Sequence, residues 1–273
     1  MLHGILHNCG SFNRLIPLLK RDYHIVAFDL PGHGRSSHFP SGLPLEFSNF
    51  IFSIKKVIDY LEWNRFFLIG HSFGGQISTY FTALFPQYVE LLIVIDSMEP
   101  RPIHLSDTLT HMQSIFNKFQ ETETKLSKGN PPVYSYEEAF KKVQYNSSWI
   151  LTADATNDLI ERTVKKYKNG FTFVLDQRLK CNLKPNFTFE QQKAILINIT
   201  CPILFILSKQ NMTRYDTYLK SIYEFNKAKE NCTIVIVDGD HAVHQNYPER
   251  INHIIDEFIN TKAIPSYLNC IKI

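Results

Sequence analysis

The segment GHSFG, residues 70–74, is the most informative part of this sequence because of the residues on either side of it. The apolar run 65–69 leads into it and predicts a strand, whereas residues 76–85 predict a helix that ends before Pro86. A G-x-S-x-G pattern between a strand and a helix is typical of a sharp turn that exposes the serine hydroxyl at the sheet edge. We therefore predict that Ser72 is a nucleophile at the carboxyl edge of a sheet.

Short apolar runs alternate with amphipathic stretches on both sides of this segment. A buried helix face over 47–63 and a closing helix near Pro248 accompany the runs. This alternation predicts an α/β fold, a mostly parallel sheet with helices on both faces. The remaining predicted strands are 23–28, 91–95, 203–207 and 233–237.

Residues 99–195 differ from the rest in composition. They contain helix-like stretches rich in Lys, Glu, Thr and Asn, many aromatic residues, and no run typical of a buried strand. We interpret them as a mostly helical cap inserted into a core made of residues 1–98 and 196–273. The aromatic residues favour a small-molecule substrate with an apolar acyl or alcohol group.

The overall composition argues against nucleic-acid binding, a membrane span and a metal site. The net charge of +3 is small, and Lys and Arg are scattered rather than gathered into the basic stripe that nucleic-acid binding needs. No apolar run is long enough to span a membrane. The five cysteines are odd in number and lack the spacing of metal ligands, which indicates a reducing compartment and no structural zinc or other metal site.

A serine hydroxyl needs a base that accepts its proton. We assign this role to His241, which follows the last predicted strand and a glycine turn. His244 is the competing candidate, and we interpret it as a partly exposed loop histidine. An oxyanion formed during acyl transfer needs two backbone N–H donors, and we assign these to Phe73 and to Ile5, which follows a His-Gly turn.

Several motifs together resemble one known family. They are LHG at 2–4, NCGSFNRLIPLL at 8–19, DLPGHGRSS at 29–37, WNRF at 63–66, GHSFGG at 70–75 and VLDQRL at 174–179. This set, spread over nearly the whole chain, resembles the serine hydrolase-like (kraken-like) branch of the α/β-hydrolases. The resemblance implies a cofactor-free serine hydrolase of the esterase type, in the cytoplasm or the peroxisome.

The chain departs from that family pattern at the expected acid. Asn211 stands on the turn where the resemblance implies an aspartate that orients the histidine. An amide can accept the Nδ1–H of His241 but cannot stabilise the imidazolium by charge. Asp96, at the end of the strand 91–95, is our substitute, and a purely structural role for it is equally open. Asp216 and Asp240 are weaker candidates.

The second departure is at the start of the sequence. Only Met1 and Leu2 precede the His-Gly turn, where the family pattern has a buried strand. We expect N-terminal strands of on the order of 30 residues to be missing from this form. Two alternatives to an active hydrolase follow from these departures. One is a hydrolase-fold binding protein or pseudoenzyme without turnover, and the other is a fragment that does not fold.

Overall fold

The computed structural model describes residues 1–20, 23–100, 102–145, 149–181, 185, 187–213 and 217–262. Its α-helices and strands alternate before and after residues 99–195, as the apolar periodicity predicts. In chain order they are α1 (Phe47–Leu61), β1 (Phe66–His71), α2 (Phe73–Leu84), β2 (Val89–Ile95), α3 (Thr108–Ser127), α4 (Tyr136–Gln144), α5 (Ala153–Thr163), β3 (Val164–Tyr167), β4 (Gly170–Phe173), α6 (Phe189–Leu196), β5 (Ile203–Ser208), α7 (Lys209–Met212), α8 (Thr217–Lys227), β6 (Cys232–Val237), α9 (Val243–Asn246) and α10 (Asn252–Thr261).

The central sheet explains why the strand sequences are almost entirely apolar. Its four strands are parallel in the order β1-β2-β5-β6, and both faces of β2 are covered. Leu92 and Val94 point to a core that also contains residues of α1 and α2. Ile93 and Ile95 point to the opposite core, which contains residues of α10. The prediction of an α/β fold with helices on both faces is confirmed.

The first two residues lie beside β1, which is the edge strand of this sheet in the described part of the chain. Leu2 forms a parallel bridge with Gly70, and the Met1 ammonium donates to the carbonyl oxygen of Val26 at 2.6 Å. The predicted strand 23–28 is wrong, because these residues join no ladder. A cavity of about 540 Å³ lies between residues 23–26 and β1, so the two backbones are too far apart to pair.

The chain between β2 and β5 contains helices α3 to α6 and the antiparallel hairpin β3–β4. The hairpin was not predicted, because its strands have four residues each and are mostly half-exposed or exposed. Buried Arg178 ties this region to the core by donating to the carbonyl oxygens of Phe39 and Pro40. Among the described residues, every helix is too short or too polar to traverse a lipid bilayer.

Candidate active site

Ser72 lies on the sharp turn between β1 and α2. Its backbone is held at φ 52° and ψ −120°, a conformation outside the regular helix and strand regions. The close packing around it requires glycine, since a Cβ on Gly70 would lie 2.4 Å from the carbonyl oxygen of Gly74. A Cβ on Gly74 would lie 2.2 Å from the carbonyl oxygen of Leu2. The turn therefore holds Ser72 in the strained geometry that the G-x-S-x-G pattern predicts.

His241 joins Ser72 to Asp96 through its two ring nitrogens. The Nε2 atom is 2.8 Å from the Ser72 Oγ atom, and the Nδ1 atom is 2.6 Å from an Asp96 carboxylate oxygen. Since a carboxylate only accepts hydrogen bonds, Nδ1 carries the proton and Nε2 is free to accept the hydroxyl hydrogen. This arrangement can remove the serine proton and hold the resulting imidazolium next to a negative charge.

Asp96 is fixed in place by the strand beside its own. It follows β2 directly, is 1% exposed, and donates its backbone N–H to the carbonyl oxygen of Ile206 at 2.7 Å. Its second carboxylate oxygen accepts the backbone N–H of Ser208 at 2.6 Å. Both carboxylate oxygens therefore have a donor, one from the base and one from the end of β5. The Asp96 side chain is part of the hydrogen-bonded site and also anchors β5.

Of the other acid candidates, Asn211 and Asp240 lie in the described part of the chain, and neither contacts the His241 ring there. Asn211 lies in α7 and donates its backbone N–H to the Ser208 Oγ atom at 3.2 Å. Asp240 accepts the backbone N–H of Ala242 at 2.8 Å, within its own turn. Asp216 lies outside the described residues. The Nδ1 atom of His241 is hydrogen-bonded to Asp96, so the strand-end aspartate occupies the place that the family pattern gives to the turn.

The two amides assigned to the oxyanion hole lie next to the serine. Phe73 is the first residue of α2, where the helix leaves N–H groups without internal acceptors. The turn that contains Ile5 packs on the serine, because a Cβ on Gly4 would lie 3.2 Å from the Ser72 Cβ atom. In the described part of the chain, neither the Phe73 nor the Ile5 amide donates to a protein acceptor. Neither N–H group therefore has a protein acceptor that would compete with a bound oxygen atom.

Two buried histidines that the sequence analysis did not single out hold this turn. His3 Nε2 accepts the backbone N–H of Leu30 at 2.9 Å, and His33 Nε2 accepts that of Leu6 at 3.1 Å. Burial lowers the pKa of His33 to about 4. Neutral rings accept hydrogen bonds, whereas imidazolium rings cannot. The only signal in the sequence is that each histidine precedes a glycine in a predicted loop.

The prediction that His244 is a partly exposed loop residue is wrong. Its side chain is 0% exposed. His244 lies in α9, and its ring packs against the rings of Phe12 and His71. The His71 and His244 centroids are 3.9 Å apart. Burial, followed by the charge of the neighbouring histidines, lowers the pKa of both rings well below the usual range. Both are therefore neutral at physiological pH, and of these three rings only that of His241 is hydrogen-bonded to the Ser72 hydroxyl in the described structure.

The region between β2 and β5 contacts the loop that carries His241. The Trp149 ring lies 4.4 Å from the His241 ring, at an interplanar angle of 57°. The Asn246 side chain accepts the backbone N–H of Thr152 and donates to the carbonyl oxygen of Ile150, both at 2.9 Å. The residues just before α5 are thus hydrogen-bonded to α9, and Trp149 of the same segment packs against the ring of the candidate base.

Comparison with known proteins agrees with this fold. A family model described as the alpha/beta hydrolase fold matches residues 1–257. Among solved structures, the hypothetical protein PA1622 from Pseudomonas aeruginosa PAO1 has a TM-score of 0.81 at 24% identity, over 95% of this chain and 90% of that one. The "Thioesterase Domain From Curacin Biosynthetic Pathway" has a TM-score of 0.77 at 22% identity, over 93% of this chain and 89% of that one.

The sequence relatives narrow the family further. A protein named "Serine hydrolase-like protein" from Danio rerio is 32% identical over 96% of this chain and 81% of its own length. "Serine hydrolase-like protein 2" from Homo sapiens is 30% identical over 98% of this chain and 88% of its own length. The chain therefore belongs to the serine hydrolase-like branch of the α/β-hydrolase family.

Proposed function

We propose that this protein is a serine hydrolase that cleaves a carboxylic ester or a similar acyl bond. The observation that carries the proposal is the hydrogen-bonded series Ser72–His241–Asp96, with 2.8 Å and 2.6 Å between the paired atoms. Membership of a hydrolase family and the names of the relatives support it. A serine at position 72 argues against the dehalogenase and epoxide-hydrolase reactions, for which we expect an aspartate there.

In the acylation step, the Ser72 Oγ atom forms a bond to the acyl carbon while His241 Nε2 takes the hydroxyl proton. The electron pair of the carbonyl π bond moves to the oxygen, which accepts hydrogen bonds from the Phe73 and Ile5 amides. Asp96 stabilises the imidazolium that forms. When the carbonyl re-forms, the bond to the alcohol oxygen breaks and this oxygen takes the proton from His241.

In the deacylation step, water takes the place of the alcohol. His241 accepts a proton from the water as its oxygen attacks the acyl carbon, and the same two amides hold the second oxyanion. Collapse of this intermediate breaks the bond to Ser72, whose oxygen recovers the proton from His241. The products are a carboxylic acid and free enzyme, and the reaction consumes one water for each alcohol released.

The proposed substrate is a small ester with an apolar group beside the acyl bond, and residues 99–195 are the proposed cap over it. The position of Trp149 against His241 supports both ideas, since an apolar ring beside the base favours an apolar substrate group next to it. Other aromatic residues of this region pack on one another, as Tyr136 and Phe171 do with 5.6 Å between their ring centroids.

The proposal is tested by labelling the purified chain with a fluorophosphonate probe, next to the Ser72→Ala variant. Labelling of the parent chain that the variant lacks supports an activated serine, and a panel of p-nitrophenyl esters of increasing acyl length then reports the preferred substrate. An additional variant, Ser78→Ala, controls for loss of a buried hydroxyl on α2, where Ser78 bonds to the Gly74 carbonyl oxygen.

A folded parent chain that neither labels nor turns over any ester would reject the proposal. Thermal stabilisation by ester analogues without turnover would favour the binding-protein alternative. A chain without a cooperative thermal transition would favour the fragment alternative.

A further inference from the structure

His71, the second residue of the GHSFG segment, lies where three parts of the site meet. Its ring is 1% exposed and its backbone N–H donates to the carbonyl oxygen of Leu2 at 2.9 Å. A Cβ on Gly4 would lie 2.9 Å from the His71 Nδ1 atom, so the ring packs under the turn that carries the Ile5 amide. The Nε2 atom is 2.8 Å from the backbone carbonyl oxygen of His241.

We propose that His71 is a positioning residue that holds His241 in register with Ser72 by donating its Nε2–H to the His241 carbonyl oxygen. This role rests on the proposed function, because it acts through the base of the proposed reaction. The loop that carries His241 follows β6, which lies three strands away from β1 in the sheet. The hydrogen bond from His71 is thus a direct link between the serine turn and the base loop.

The surroundings of His71 favour the tautomer that this role requires. A carbonyl oxygen only accepts, so Nε2 must carry the hydrogen, and Nδ1 has no partner among the described residues. The rings of His244 and His241 lie 3.9 Å and 4.8 Å away, and that of His7 lies 6.4 Å away. A second proton on His71 would face these rings with no carboxylate of the described residues in contact, so the ring stays a neutral donor.

The test compares His71→Met, which removes the donor, with His71→Gln, which restores an N–H near the Nε2 position. We expect His71→Met to lower kcat for an ester and the rate of fluorophosphonate labelling by about tenfold, with KM unchanged. His71→Gln should recover most of both. Thr82→Ala is the control for a lost hydrogen bond inside α2, because Thr82 bonds to the Ser78 carbonyl oxygen away from the base. It should label at the parent rate.

A His71→Met variant that labels at the parent rate, or a His71→Gln variant as slow as His71→Met, would overturn the positioning role. Failure of the proposed function is distinguishable, because the parent chain itself would then show no labelling that depends on Ser72. A measurement on the unmodified chain covers the case in which His71→Met does not fold. Long-range ¹H–¹⁵N spectra of the histidine rings should show the Nε2–H tautomer for His71, and the Nδ1–H tautomer would overturn the inference.

Discussion

Replacing Asp96 by asparagine removes one of the two hydrogen-bond acceptors on this side chain. Each carboxylate oxygen accepts one N–H at 2.6 Å, from the His241 ring and from the Ser208 backbone. An amide has only one acceptor oxygen, so its NH₂ group must face one of these two donors. Asp96→Asn therefore either disturbs the base or leaves a buried backbone donor without an acceptor.

The size of the effect depends on which donor the NH₂ group faces. If it faces His241, the ring must accept at Nδ1 and carry its proton on Nε2, where it cannot accept the serine proton. The same change in a serine protease lowers kcat by about 10⁴, which corresponds to about 5.4 kcal/mol. If the NH₂ group faces Ser208, this group and the Ser208 N–H both lack an acceptor, which lowers the free energy of unfolding by about 1–3 kcal/mol. The turnover then falls less than in the first case.

The assay measures kcat on a p-nitrophenyl ester and the urea midpoint of the same preparations. Asn211→Ala is the matched control, since Asn211 is the residue at the family's usual acid position and has no contact with the His241 ring among the described residues. We expect it to keep kcat within about threefold of the parent. The reasoning is refuted if Asp96→Asn keeps both parent values, or if Asn211→Ala loses as much turnover as Asp96→Asn.

Two further predictions concern stability. Gly74→Ala should prevent labelling of the serine and lower the melting temperature sharply, because the new methyl group would lie 2.2 Å from a backbone oxygen that cannot move freely. Gly129→Ala, whose methyl group meets open space, should cost only the roughly 1 kcal/mol of its positive φ, and equal melting temperatures for the two variants would contradict the packing argument. For His33, the folded-state pKa of about 4 lies below the usual 6.5. The contribution of neutral His33 to the free energy of unfolding is therefore fully present above pH 6.5. It is lost as the pH falls toward 4, by up to about 3 kcal/mol. Urea midpoints at pH 7.5, 6 and 5 should fall less steeply for His33→Gln than for the parent, and parallel curves would contradict this assignment.

Local patterns were sufficient for much of the fold and for two members of the site. Strand β5 was predicted to within one residue of its observed bounds, because a strand buried on both faces has a continuous apolar sequence. Ser72 and His241 were singled out because Ser72 directly follows one predicted apolar strand and His241 lies on the turn after the last one. The strand predicted at 23–28 failed, since a strand exists only when a neighbouring backbone accepts its hydrogen bonds.

The amino-acid sequence by itself determined the α/β class, the serine turn and the histidine after the last strand, since each depends on residues that are close together in the chain. Only the tertiary structure decided that Asp96 rather than Asn211 contacts His241, because both side chains follow strands that end at the same sheet edge. The burial of His244 was decided in the same way. Which of several polar groups meets a given ring depends on distances between segments more than a hundred residues apart, and no local pattern contains that information.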